Sequence, residues 1–401
     1  MSVTRQAFTP FIPDDRALAD AEIPDKVMSL TKASARLEGI PLETRRVITE
    51  HLAVINSYYS NLIEGNRTEP HEIRAAQHGQ FNKDPAKRNL QLESIAHIEV
   101  ERWLNKQTFK LDTLYQADLV RSIHHKFYEN MPAELRHVSQ PDKAAQIEIV
   151  PGEWRQQTVN VGQHIAPEAS KVPALMDAFM EVYHPARFQG DKKLVAVICA
   201  HHRLAWIHPF LDGNGRVGRL FTDTALKTIG LESKGIWCLS RGLARASDQY
   251  KFFLQHADMA RQGEHDGRGQ LSQKALTEYC SFMIDTALDQ VTYMSELLNL
   301  DDMRQRIHTY VEARNDRRVR GMGELKEIAS LILFNAFVSG KLERKTAYEI
   351  SGMPDRTARR LIAQLKEEGL LMETSSRSPL YWQIPEHAEP WYFPELAPTR
   401  T

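Results

Sequence analysis

The chain has 401 residues, 42% of them hydrophobic and 26% charged, and a formal net charge of -1. That length holds two or three domains with sizeable cores, and the composition is that of a globular chain, not a disordered or fibrous one. The balanced charge excludes a whole-chain field as a source of nucleic-acid or membrane affinity, so any such contact has to come from a local basic patch.

The N-terminus lacks a basic stretch followed by an apolar core, and no apolar run has the length of a membrane span. Cys199, Cys238 and Cys280 are far apart in sequence, odd in number and set in apolar surroundings, which fits reduced core thiols and a cytoplasmic protein. Residues 1 to about 25 are Pro-rich and read as an irregular arm. Residues 43–64 carry Val47, Ile48, Leu52, Ile55, Tyr59 and Leu62 at helical spacing, with Gly65-Asn66 as a stop. Two more helical patterns cover 90–104 and 114–130. Ile147 to Val161 is β-branched and broken by Pro151-Gly152, which predicts a β-hairpin. Helices are expected again at 173–183, from 194 to just before His208, and at 216–229, 247–261, 271–299 and 302–320.

Beyond Gly321 and Gly323 the pattern becomes compact. Helices are predicted at 325–338, 345–351 and 355–368, followed by strands at Leu370–Thr374 and Leu380–Ile384 around a polar tip. Three helices and a two-stranded wing make a winged helix-turn-helix over residues 322–390. Its third helix carries Arg356, Arg359, Arg360 and Lys366, with Arg377 at the wing tip and Arg317, Arg318 and Arg320 before the module. Asp355, Glu367 and Glu368 dilute that charge, so DNA and a protein surface both stand as partners. His201 and His202 point to different helix faces with no ligand spacing around them, which reads as core packing.

The densest chemistry lies in His208-Pro209-Phe210-Leu211-Asp212-Gly213-Asn214-Gly215-Arg216-Val217-Gly218-Arg219. Gly213, Gly215 and Gly218 satisfy G-x-G-x-x-G, but a dinucleotide fingerprint needs a preceding strand, and here a helical stripe and a proline precede it. The stretch is still suited to anions. Small residues at 213–215 leave backbone N–H groups free for phosphate oxygens, and the helix starting near Arg216 adds its positive end. Arg216 and Arg219 are three apart and share a helix face, so two guanidiniums stand over the cradle. Asp212 beside it suits Mg²⁺ through one carboxylate, and His208 is the natural general base. Taken singly, these residues would be a loop histidine, a turn aspartate and a solvated arginine stripe. Their order within twelve residues sets them apart.

This stretch resembles the Fic family motif, H-P-F-x-[DE]-G-N-G-R-x-x-R, at every specified position. The resemblance extends over residues 115–262 and includes Pro151-Gly152-x-x-Arg155 and Val159-Asn160-Val161-Gly162, which look like the family's flap. It implies a mainly α fold, with a helical core, a β-hairpin flap and the C-terminal winged module. It also implies an N-terminal helical region over 1–114 and a helical linker over 263–321. The implied activity is AMP transfer from ATP to a Ser, Thr or Tyr hydroxyl of a protein docked on the flap near residues 147–161, and to the enzyme itself. His208 would take the proton. Asn214 and the N–H groups of Gly213, Gly215 and Gly218 would hold phosphate. Arg216 and Arg219 would grip the β- and γ-phosphates, and Asp212 would carry Mg²⁺.

Ser60-Asn61-Leu62-Ile63-Glu64-Gly65 resembles the family's inhibitory motif, [ST]-x-x-x-E-[GN]. Ser60 and Glu64 share a helix face, so a hydroxyl can orient the carboxylate, and the resemblance implies Arg219 as its partner. Four alternatives stay open: removal of AMP, transfer of phosphocholine or phosphoryl groups, a nucleotide-sensing DNA-binding regulator, and a homodimer in place of a monomer.

Overall fold

The computed structural model describes residues 6–140, 143–162, 164–231, 235–396 and 398. Helix dominates, as the periodicities predict. One compact unit comprises Met1–Ala35, Asn56–Ser233 and Trp237–Val291, and the other Arg36–Ile55, Lys234–Ile236 and Thr292–Thr401.

Residues 1–5 lie outside the described residues and 6–14 are irregular and packed on the body, with Phe8 buried, but the rest of the N-terminal segment is helical. It forms α1 (Asp15–Asp20) and α2 (Ile23–Ala35). Asp14 caps α1 by accepting from the Ala17 N–H at 2.9 Å, and Leu18, Ile23, Val27 and Leu30 are buried. A capping aspartate and an apolar stripe outweigh the prolines here.

Helix α3 (Leu42–Ile63) ends in a Schellman turn, in which the Gly65 N–H bonds to Leu62 O and the Asn66 N–H to Asn61 O, with Gly65 at φ +93°. This leaves Glu64 at the helix end. Two helices follow, α4 (Pro70–Gln77), which the periodicity does not reveal, and α5 (Pro85–Lys106). Each starts on a proline, and α5 is capped by Asp84 through the Ala86 N–H at 3.0 Å.

The centre of the first unit is a pile of helices: α6 (Ala117–Tyr128), α7 (Val172–Val182), α8 (Lys192–Ile207) and α9 (Asn214–Thr228). Helix α8 is buried on nearly all sides and packs between α7 and α9, while α9 also meets α5 and α6. Helices α10 (Leu239–Arg245), α11 (Ser247–His256) and α12 (Gln273–Leu297) follow. Helix α11 stops short of the expected residue 261, where a bridge between Ala260 and Leu271 takes over the backbone.

The single hairpin expected over 147–161 is instead two antiparallel ladders. One pairs β1 (His137–Gln140) with β2 (Lys143–Glu148), His137 opposite Glu148. The other pairs β3 (Asn160–Val161) with β4 (His164–Ile165), Asn160 opposite Ile165. The stretch between them forms no ladder and bonds in part to the helical body. The Gly152 N–H, at φ +81°, donates to His124 Nδ1 at 2.8 Å, and the Arg155 N–H donates to Pro209 O at 2.9 Å.

All three cysteines are buried, but Cys199 and Cys280 are not far apart in space, since packing of α8 brings their sulfurs to 3.4 Å. The two adjacent histidines are core groups, as expected. His201 lies between Thr222 Oγ1 and Tyr250 Oη, and His202 Nε2 meets Leu254 O at 3.0 Å.

In the second unit, α13 (Leu300–Asn315) packs on α14 (Ile328–Ser339), followed by α15 (Arg344–Ser351) and α16 (Asp355–Glu367). Gly352 at φ +59° turns the chain between α15 and α16. A two-strand ladder closes the unit, β5 (Leu371–Met372) with β6 (Tyr381–Trp382), Leu371 opposite Trp382. Ala358, Leu361, Ile362 and Leu365 form the buried face of α16, and buried Trp382 meets Phe337 edge-on at 5.1 Å. No helix among the described residues is long and apolar enough to cross a membrane.

Candidate active site

His208 ends α8 in the left-handed region, at φ +49° and ψ +62°, its N–H bonded to Leu204 O at 3.0 Å. A non-glycine residue pays a strain cost there, so its surroundings have to hold it. Arg155 supplies the hold, donating from Nε to His208 O at 2.7 Å. Burial, with the Arg155 charge added, depresses the imidazole to about 4, so the ring is neutral at pH 7 and able to accept a proton.

The chain then turns into α9 through Gly213 at φ +77°. A side chain there would meet the Tyr128 ring at 3.0 Å, so both backbone and space call for glycine. The Asn214 amide is tied to the loop that precedes it. Its Nδ2 donates to Phe210 O and its Oδ1 accepts from the Phe210 N–H, both at 2.9 Å. This clasp closes the loop over Phe210, which stacks on His124 at 3.9 Å. The first bond within α9 runs from the Val217 N–H to Gly213 O, so the Asn214, Gly215 and Arg216 N–H groups have no partner inside the helix. They form the N–H cradle. Gly218, one turn on, has no neighbouring atom within 4 Å of where a side chain would stand.

Both arginines are buried and already held. Arg216 donates from Nη1 to Glu93 Oε2 and from Nη2 to Asp212 Oδ2, each at 3.1 Å, with Phe127 stacked 4.6 Å away. Asp212 Oδ2 also accepts from the Tyr128 hydroxyl. Burial raises the Asp212 carboxyl, but Arg216, Tyr128 and the Gly213 N–H outweigh it and hold the group below the usual carboxylate range. Both side-chain bonds to Asp212 fall on Oδ2. Among the described residues no three His, Cys, Asp or Glu side chains converge as a metal site. A cation here would take one carboxylate from the protein and the rest from phosphate and water.

Arg219 donates from Nη2 to Glu64 Oε1 at 2.7 Å. Ser60 departs from the expected role. Its hydroxyl accepts from Arg219 Nε at 3.1 Å and its carbonyl from Nη2 at 2.8 Å, so it positions the arginine and not the glutamate. Burial raises the Glu64 carboxyl, yet Arg219 and Arg216 outweigh it and keep the group ionised.

The structure thus gathers His208, Asp212, Gly213, Asn214, Gly215, Arg216, Gly218 and Arg219 in one loop and helix, with Ser60 and Glu64 brought against Arg219. Tyr128 and Glu93 also belong to the site. Nothing in the sequence singles them out, because each occupies an ordinary helical position whose partner lies 84 or 123 residues away.

Residues 113–226 match the Fic/DOC family. A 79-residue stretch is 37% identical to the protein adenylyltransferase Fic of Drosophila erecta, covering 20% of this chain and 16% of that protein. The chain therefore spans only a small part of the length of the curated relatives it matches. Among solved structures, a Fic family protein from Desulfovibrio desulfuricans aligns with a TM-score of 0.52 at 18% identity, over 90% of this chain and 96% of that one. Fic-1 of C. elegans aligns with a TM-score of 0.51 at 16% identity, over 70% and 72%. These likenesses show a shared helical fold.

Proposed function

Because the chain carries a Fic/DOC domain, we propose that it is an autoinhibited protein adenylyltransferase of the cytoplasm. It transfers AMP from ATP to a Ser, Thr or Tyr hydroxyl of a target protein, and to itself. The observation that carries this reading is one loop and helix holding a neutral base, an unpartnered N–H cradle and two arginines, with Glu64 seated on the second arginine.

The target hydroxyl attacks the α-phosphorus, His208 takes its proton, and the bond to the bridging oxygen breaks to release pyrophosphate. The N–H groups of Asn214, Gly215 and Arg216 hold the α-phosphate. Arg216 reaches the β-phosphate and Arg219 the γ-phosphate. Gly213 gives the turn, and Gly218 keeps the adjoining space open. Asp212 fits Mg²⁺ through Oδ1, since Oδ2 is engaged by Tyr128 and Arg216; the ion would neutralise phosphate charge. The target lies along the flap near residues 147–161.

The test is labelled ATP with the full chain and its Glu64→Gly variant, the transferred group being read by mass spectrometry. AMP on protein, stronger in the variant, supports the reading. Loss of pre-attached AMP instead assigns AMP removal, and a different adduct assigns another donor.

A second reading concerns the C-terminal helices, which we infer form a winged helix-turn-helix that binds duplex DNA. The favouring observation is that two of its acids, Glu368 and Glu373, are paired within the unit, while Asp355 lies 3.9 Å from exposed Arg359. Glu368 Oε1 accepts from buried Arg314 at 3.0 Å, and Glu373 is taken by Arg344 and by Lys366, the latter at 2.8 Å. Lys366 is therefore spent within the unit, while Arg356, Arg359, Arg360 and Arg377 are exposed. Mobility shifts of the full chain should show salt-dependent binding, weakened in Arg359→Ala and Arg360→Ala. No shift at low salt assigns the face to a protein partner.

A further inference from the structure

We propose that Arg155 is a positioning residue for His208, coupling the flap to the general base. The proposal rests on the adenylyltransferase reading for its consequence, but its geometry stands independently of it. Arg155 is 2% exposed, and its guanidinium spends every nitrogen on backbone carbonyls of two different segments. Nε donates to His208 O at 2.7 Å and Nη2 to Ile207 O at 3.3 Å, at the end of α8. Nη1 donates to Gln157 O at 2.7 Å and Nη2 also to Pro167 O, on either side of the β3–β4 ladder. Its own N–H bonds to Pro209 O at 2.9 Å.

Those carbonyls flank the one residue of the motif that sits in a left-handed conformation without being glycine. The last carbonyls of a helix lack intrahelical partners, and a buried cation answers them well. Here it answers two of them and ties the same atoms to the flap. A target laid on the flap is thereby held at a fixed distance from the imidazole. Lysine cannot reproduce this, since one ammonium cannot span four carbonyls in a plane. Besides Arg155, His164 and Asp212 face the His208 ring electrostatically.

The test compares Arg155→Met and Arg155→Lys in the full chain carrying Glu64→Gly. Turnover in autoadenylylation is expected to fall by about 10²-fold in Arg155→Met, as for a displaced catalytic group. Lysine should restore part of it, with KM for ATP nearly unchanged in both and a melting temperature that falls less in Arg155→Lys than in Arg155→Met. Ring signals of His208, assigned in NMR spectra with His208→Gln, should shift or broaden while those of His201 and His202 stay. Two results overturn the proposal: unmoved His208 signals, or equal loss of ATP affinity, His201 signals and melting temperature, which marks a general structural role. If the Glu64→Gly parent transfers no AMP, the functional reading fails, and the NMR comparison still decides the role of Arg155.

Discussion

Glu64 and Arg219, 155 residues apart, meet at 2.7 Å with the arginine side chain 1% exposed and the glutamate 37% exposed. The buried partner is fixed by Ser60, so the movable half of the pair is the glutamate. Burial opposes the Glu64 charge, but Arg219 and Arg216 hold its folded-state pKa below 4.5. The pair's stabilisation is then present above the unfolded pKa and lost only as pH falls through the depressed folded value. Neutral or mildly acidic conditions will not open it. Glu64→Gln, which keeps the shape and removes the charge, is expected to raise AMP transfer at pH 7. Equal rates in variant and wild type would discard the inhibitory role.

In the proposed reaction His208 takes the hydroxyl proton. His208→Ala should lose about 10²–10⁴-fold in turnover, measured with the Glu64→Gly background. The depressed imidazole, near 4 through burial, stays neutral throughout the physiological range. Turnover should therefore not fall between pH 8 and pH 6 on account of this residue. An acid limb centred near 6.5 would contradict the assignment of that environment.

The two glycines of the cradle differ in what they exclude. Gly213 is at φ +77° with the Tyr128 ring at 3.0 Å, so Gly213→Ala should cost about 1–3 kcal/mol. Gly215 is helical, and a side chain there would land on Glu64 Oε1, the end of a flexible chain. Gly215→Ala should displace that carboxylate from buried Arg219, losing the ion pair as well as the space. Urea denaturation checks both losses, and a Gly215→Ala variant as stable as the wild type would refute the second.

Asp223, on α9, accepts from the Leu239 N–H at 3.2 Å, and burial pushes its carboxyl up to about 7. The folded state therefore binds this proton more tightly than the unfolded one. Stability from this group falls as pH rises from about 4 to 7. Asp223→Asn should gain melting temperature at pH 8 relative to pH 5. Parallel pH profiles for variant and wild type would show that the group ionises freely in the folded protein.

Much of the site was legible because its parts are neighbours in the chain. The helix period across α8, the stop at His208-Pro209 and the start of α9 place base, cradle and arginines by short-range geometry alone. The helices within the arm over residues 1–25 and the two ladders in place of the single hairpin over 147–161 escaped the sequence for a related reason. Prolines and β-branched residues report local preference, whereas a capping aspartate with buried Leu18, and the bonds from Gly152 and Arg155 to the helical body, decide the outcome. The clasp of Asn214 on Phe210 is a further feature that one dimension does not reveal.

By itself, then, the sequence determined the helical periods, the helix stop before His208-Pro209 and the order of chemical groups from His208 to Arg219. The family resemblance implied Glu64 with Arg219, but only the tertiary structure decided Glu93 with Arg216 and put Ser60 on the arginine's side of the Glu64 pair. Backbone conformation is set by interactions over a few residues, and those are written in the local sequence. Ion pairs across 123 and 155 residues exist only because helices pack at one angle and depth, and no local pattern encodes that.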